Sequence, residues 1–283
     1  MIALEIIEDQ FNKKSTSSYN LSMLLGMNRF SYLVTDQQQQ VVAVVTHDYD
    51  QKMNSTIDVV ESLKKIFVED QYLKLPYNAY KLALVSPTST LIPTGLFKEE
   101  HKADYLTNII RLEKQDSVFN DALPLLDVVN VYNYSNQIVA LVKNSLPNTK
   151  IYHINSPILM GFKEVTAHRD GKKIYINVKD QLLTVVLFED DELVFCNAFS
   201  FKTSKDFIYY LLLVFEQFKL KTETTPVFIA GAIIEESEVY HLLYRYIRHL
   251  SMIPTPTYYH FGKKFGDRKK HIYFDLFSLK LCE

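Results

Sequence analysis

The chain has 283 residues, 47% of them apolar and 23% charged, with a formal net charge of −2. That is globular composition, enough for a substantial buried core, and it excludes both the disordered class and bulk electrostatic attraction to nucleic acid or anionic membranes. Two cysteines, Cys196 and Cys282, exclude a disulfide framework and a cysteine-based zinc site.

The first residues mix acids with apolar side chains and carry no basic leader, so they do not read as a signal peptide. Residues 29–35 alternate Phe30, Tyr32 and Val34 and predict a strand, with a turn at 36–39 and a valine-rich strand at 40–47. A helix over 56–68, with Thr56 as its cap, places Ile57, Val60, Leu63 and Phe67 on one face. A short apolar strand at 81–85 follows. Residues 127–132 and 151–154 predict strands, and 135–146 and 155–162 predict helices.

From residue 173 the same order returns. Strands are predicted at 173–178, 182–188 and 193–201, where Cys196 reads as a buried thiol. Ser204 caps a helix to about 218, and a strand follows at 226–230. A further amphipathic helix is predicted over 238–250, with Arg245, Arg248 and His249 on its polar side. Residues 257–261 and 271–275 read as a hairpin around Gly266 and Asp267. The helix at 207–218 is too short to span a bilayer. The expectation is therefore a cytoplasmic protein without membrane insertion.

Val34-Thr35-Asp36-Gln37 recurs as Val178-Lys179-Asp180-Gln181, which aligns the turns at Asp36 and Asp180. The fold class expected is α/β: a duplicated β-β-β-α-β unit with mixed sheets, divided into halves 1–165 and 166–283. A strand meander, a helix and a strand, present twice, resemble the actin-like ATPase (ribonuclease H-like) fold of actin and the sugar kinases. The stretches Thr90-Leu91-Ile92-Pro93-Thr94-Gly95-Leu96-Phe97 and Phe195-Cys196-Asn197-Ala198-Phe199-Ser200-Phe201, the latter running on through Ser204 to Leu212, resemble an uncharacterised bacterial family assigned that fold. The pilus-assembly and secretion-system scaffolds of the same fold class are the nearest functional comparison, by analogy of fold.

The resemblance implies a nucleotide cleft between the halves. Each half of an active member carries an Asp-x-Gly turn, whose backbone N–H groups reach phosphate while the carboxylate handles Mg²⁺ or water. The carboxylates Asp36 and Asp180 are present here, but Gln37 and Gln181-Leu182 follow them, and the chain has only 7 glycines where average usage gives roughly 20. Thr184 stands where a loop hydroxyl is expected, and Gly231 is the remnant of a glycine pair that packs against adenosine. These four residues form a remnant nucleotide cleft, with ATP and Mg²⁺ the cofactors it would take. No residue set has metal-ligand spacing, and no catalytic residue is assigned.

Two other features carry readings. The helix from Ser204 is apolar almost all round, which predicts burial on several sides, with Tyr209 and Tyr210 as an interface to a protein partner or a second copy. Lys263, Lys264, Arg268, Lys269 and Lys270, interleaved with aromatics, form a candidate single-stranded nucleic-acid patch. The leading function is a catalytically degenerate interaction or scaffold module. The alternatives are a divergent ATPase or kinase using the cleft, and an RNA-associated factor using the basic segment.

Overall fold

The computed structural model describes residues 2–49, 55–167, 170–266 and 268–282. Strand β1 (Ile2–Ile7) precedes a meander of β2 (Asn20–Leu25), β3 (Arg29–Thr35) and β4 (Gln40–Asp48), then α1 (Thr56–Glu69) and β5 (Ala79–Leu84). An inserted unit follows: β6 (Ser89–Pro93), α2 (Lys102–Thr107), β7 (Asp116–Leu123) and β8 (Val128–Ser135). The chain then returns through α3 (Asn136–Ser145), β9 (Lys150–His153) and α4 (Asn155–Thr166). The second half holds β10 (Lys172–Lys179), β11 (Leu182–Glu189), β12 (Glu192–Ser200), α5 (Ser204–Gln217), β13 (Val227–Gly231), α6 (Glu238–Tyr246) and β14 (Leu250–Met252). Strand β15 (His260–Phe261) and the short helix α7 (Phe274–Ser278) complete it.

One sheet runs β1-β4-β3-β2-β5-β9, with β15 also on β4, and the other runs β12-β11-β10-β13-β14. Without β1 and β15 the two orders match strand for strand. The central pairs agree in direction too, since β2–β5 and β10–β13 are both parallel. The repeat thus extends to strand order and direction, in two mixed α/β units.

The alternating side chains explain the layers. Ile174, Ile176 and Val178 of β10 pack outward against Phe207, Leu211 and Val214 of α5, whereas Tyr175 points inward. On the first sheet Met23 and Leu25 face α1 and α3, and Leu24 faces inward. Between the sheets lie α4 and α7. Every residue from Asn155 to Phe162 is buried, the apolar ones against both sheets. Gly161 allows the close crossing of α4 and α7, because a Cβ there would sit 2.7 Å from the Phe274 ring.

Several expectations change. Helix α5 buries Phe207, Ile208, Leu211, Val214 and Phe215, while Tyr209 is 61% and Leu213 40% exposed. Helix α1 is capped by Ser55 and α5 by Thr203, each through a reciprocal capping box with Asp58 and Asp206. Helix α6 ends at Tyr246, because Leu250 begins β14. The C-terminal hairpin does not form: β15 pairs in parallel with Gln40 and Val41 of β4, and Lys270–Tyr273 form a helical turn. Asp267, in the expected loop, lies outside the described residues.

The inserted sheet, β6-β8-β7, is held to the body through Asp121 of β7. Its carboxylate accepts from the Ser156 hydroxyl at 2.6 Å, the His153 N–H at 2.8 Å and the Tyr132 hydroxyl at 3.1 Å. Burial outweighs these bonds and pushes the Asp121 carboxyl up to about 7. The folded protein then holds a proton that the unfolded chain releases from pH 3.8 upward. Stability accordingly falls as pH rises through that window and levels off above about 7. Asp121→Asn is expected to remove about 2 kcal/mol of the loss between pH 5 and 7, measured as the difference between the two proteins' urea-denaturation free energies across that range.

Candidate functional site

The matched topologies fix which turns correspond. Asp180 lies between the first two strands of the second meander, β10 and β11. Its counterpart is the β2–β3 turn at Gly26-Met27-Asn28, not Asp36. Asp36 occupies the next turn, between β3 and β4, where its carboxylate accepts from the N–H groups of Gln38 at 2.9 Å and Gln40 at 2.8 Å. That is a local side-chain turn. The repeated tetrapeptide is thus out of step with the repeated fold by one strand. The sequence did signal the correct turn: Gly26 stands between two apolar runs in a chain poor in glycine.

The two corresponding turns touch. The Met27 N–H donates to Asp180 Oδ2 at 2.8 Å. The α-carbon of Gly26 packs against the same carboxylate so closely that a Cβ would come within 2.0 Å of Oδ2. Asp180 and Gln181 both adopt positive φ, 48° and 63°, the conformation of a tight hairpin turn. The left-handed geometry usually given to glycine is kept here by side-chain-bearing residues, at roughly 1–2 kcal/mol each.

The surroundings of Asp180 are aromatic and anionic. Tyr49 donates its N–H to Asn28 O at 3.1 Å and its hydroxyl to Gly26 O at 3.4 Å. Burial, with the Asp180 charge adding to it, raises the phenols of Tyr49 and Tyr134 well above their ordinary value, so both stay neutral. The adjacent cation, Lys179, turns inward to Asp275 of α7 at 3.2 Å, in a nearly dry environment.

The other expected cleft residues, Thr184 and Gly231, make contacts inside the protein. Thr184 is buried in β11 and donates to Asn155 Oδ1 at 3.3 Å, while Asn155 Nδ2 donates to Ser89 Oγ at 3.1 Å. Threonine thereby ties the second sheet to the first turn of α4 and to the insertion. Gly231 has φ +83°, and a Cβ there would meet the Val178 carbonyl at 2.2 Å. Its close neighbour is β10, whose Val178 O also accepts from Ala232 N at 2.7 Å.

Outside the cleft, Tyr210 lies flat on Phe199, with centroids 4.9 Å apart, and Tyr209 projects from α5. Of the basic segment, Lys264 is paired with Asp9 at 2.5 Å and Lys269 with Glu236 at 2.9 Å. Lys270 donates to Gly266 O at 2.7 Å and covers the Phe261 ring. Lys263 and Arg268 are exposed. Three of the five cations are therefore engaged within the protein.

Sequence reading missed two buried polar knots. Asp70 binds the Tyr32 hydroxyl and His47 Nε2, each at 2.8 Å, and its carboxyl is lowered by those bonds and two backbone N–H groups against the opposing effect of burial. Asp121 borders a cavity of about 660 Å³ together with Leu123, Lys150, Tyr152 and Cys282. Burial pushes the thiols of Cys196 and Cys282 up to about 12, so both are protonated at neutral pH. Among the described residues no group of three His, Cys, Asp or Glu side chains is placed to hold a metal, and no helix is long and apolar enough to cross a membrane.

The chain belongs to the DUF3822 family of proteins of unknown function, whose model matches residues 8–250. Its structure is similar to a Bacteroides thetaiotaomicron protein with an actin-like ATPase fold and unknown function: TM-score 0.79, 20% identity, 97% of this chain and 100% of that one covered. It is also similar to a chain of the PilM–PilN type IV pilus biogenesis complex (TM-score 0.65, 11% identity, 93% and 97% covered). A third likeness is to the ethanolamine utilization protein EutJ from Carboxydothermus hydrogenoformans (TM-score 0.53, 10% identity, 98% and 93% covered). At these identities the likeness is one of fold. Comparison with curated protein sequences gives no match.

The contact between the turns is testable by a mutant cycle. Gly26→Ala is expected to cost about 1–2 kcal/mol by displacing Asp180 from Met27, and less than half of that in an Asp180→Gly background. Gly231→Ala, set against main chain at positive φ, is expected to cost more, about 3 kcal/mol. Denaturant titration of the wild type, the two single variants of the cycle, their double variant and Gly231→Ala measures all of these.

Proposed function

We propose that this protein is an actin-like-fold module that has given up nucleotide hydrolysis and works by binding other protein. The observation that carries this reading is the Asp180 carboxylate on the Met27 N–H. In a working pair of turns, main-chain N–H groups face phosphate oxygens and a cation balances the charge. Here a carboxylate of the protein takes one such N–H. An incoming triphosphate would meet a negative charge in the place of a donor, and the lysine next to Asp180 in the chain, Lys179, is committed to Asp275. Opening the site would mean breaking a charge-assisted bond and separating two turns already in van der Waals contact.

The binding half of the proposal draws on the exposed apolar surface of the second half. Tyr209, Leu213 and Val194 are each at least 40% exposed around α5 and β12, and tyrosine is enriched where proteins meet. A fold neighbour solved as a pilus biogenesis complex supports the same reading by analogy. The divergent-ATPase alternative requires Asp180 to leave Met27. The RNA alternative retains two unpaired-looking cations, Lys263 and Arg268, too few for a groove that neutralises several phosphates.

The test is calorimetry and thermal shift with ATP and Mg²⁺ at millimolar concentration. A ligand at a hundredfold its dissociation constant would add about 2.7 kcal/mol of stability; the expected result is no shift and no phosphate release above background. Mg²⁺-dependent hydrolysis that disappears in Asp180→Ala would overturn the proposal.

A further inference from the structure

The duplication allows one edge to be compared with its counterpart in the same molecule. In the first sheet β4 is covered along its outer side: β1 pairs with it from Ile7 opposite Ala43 to Ile2 opposite His47, and β15 continues at Gln40 and Val41. The counterpart, β12, pairs with β11 and ends its sheet. Residues 193–200 contain no charge and no proline, the two usual devices that blunt an edge. A register shift opposite Leu187 and Phe188 marks a bulge near Val194, and beyond it the strand runs regularly to Ser200. The Ala198 N–H is met by the side chain of its neighbour, Asn197 Oδ1, at 2.9 Å. The edge is continuous with the exposed side of α5 through the rings of Phe199 on Tyr210 and Phe195 on Phe218.

Charge gives this edge a direction. The turn that leads into it is Glu189-Asp190-Asp191-Glu192, and the residues that leave it include Lys202 and Lys205, all of the last three exposed. A strand negative at its start, neutral and apolar in its middle and positive at its end is complementary to itself when reversed. A parallel mate would meet like charge at both ends, and a partner of uniform charge at one. We propose that β12 pairs antiparallel with β12 of a second copy about a twofold axis, joining two five-stranded sheets into one of ten, with Tyr209 and Leu213 flanking the seam. This rests on the reading of the chain as a protein-binding module and names one of its partners as itself. The arrangement is isologous and closes at two chains.

Sedimentation or light scattering of the full chain tests it. The expected result is a dimer that dissociates on dilution and more readily in high salt. Glu192→Lys and Lys202→Glu, both at exposed positions, each weaken the dimer about tenfold. The double variant Glu192→Lys/Lys202→Glu is again self-complementary and returns to within about threefold of the original. Asn197→Lys, near the axis, gives monomers alone and heterodimers when mixed with Asn197→Asp; circular dichroism confirms that each variant is folded. A wild-type monomer at about 100 μM, far above the dissociation constant of a specific interface, overturns the proposal, as does a dimer indifferent to these substitutions. A monomer that is also inert to ATP overturns the self-pairing and leaves the protein-binding reading standing, whereas ATP hydrolysis overturns that reading whatever the oligomeric state.

Discussion

Two sheets in this protein share one layer of helix, and everything else is arranged around that economy. Helix α4 from Asn155 to Phe162, and α7 throughout, have no solvent side to spare. Leu24, Leu33 and Val44 press on them from the first sheet, and Tyr175, Val186 and Phe188 from the second. Such a layer must be apolar in all directions and closely crossed, which Gly161 permits and the stacking of Phe162 on Phe274 at 5.2 Å fills. Interiors of this density pass displacements on to their neighbours. The distance between the sheets, and so the approach of their hairpin turns, is set by this helical spacer.

Where the layer nears the turns its chemistry changes. Inward positions of β10 pass from Tyr175 to Asn177 to Lys179, and their neighbours are Thr184, Asn155 and Asp275. These groups mostly satisfy one another, as buried polar groups must. This polar end is an internal network that includes the buried Lys179–Asp275 ion pair, and the neighbouring turn carries the bond from the Met27 N–H to Asp180. Such networks specify geometry more than they add stability.

The second half was legible because its strands alternate: Ile174, Ile176 and Val178 against Tyr175 and Asn177 give period two directly. The first half was harder. Strand β2, Asn-Leu-Ser-Met-Leu-Leu, is buried on both faces and shows no alternation, so the meander was entered one strand late and Asp36 took the place that belongs to Met27. A tetrapeptide match is a local fact, while equivalence in a sheet depends on which strands pair. The inserted sheet escaped for a related reason: its own core is little more than Leu106, Val129 and Val131, too small to impose a pattern on β6 and β7. For helix α5 composition indicates burial on several sides, but which apolar residues face outward, Tyr209 and Leu213, is decided by packing.

The return of residues 260–282 to the first sheet has a consequence for how the protein is made. Glu8 receives the N–H groups of Lys264 and Phe265, and Lys81 reaches the carbonyls of Leu279, Lys280 and Cys282. The half that leaves the ribosome first is therefore finished last. Its outer strand lacks part of its cover, and its inner face lacks α7, until translation has passed residue 278. Domains commonly fold as units in order of synthesis, but the chain entropy of so long a closure is met only at the end. Between those moments the nascent first half carries a short open edge of its own, at Gln40 and Val41 of β4.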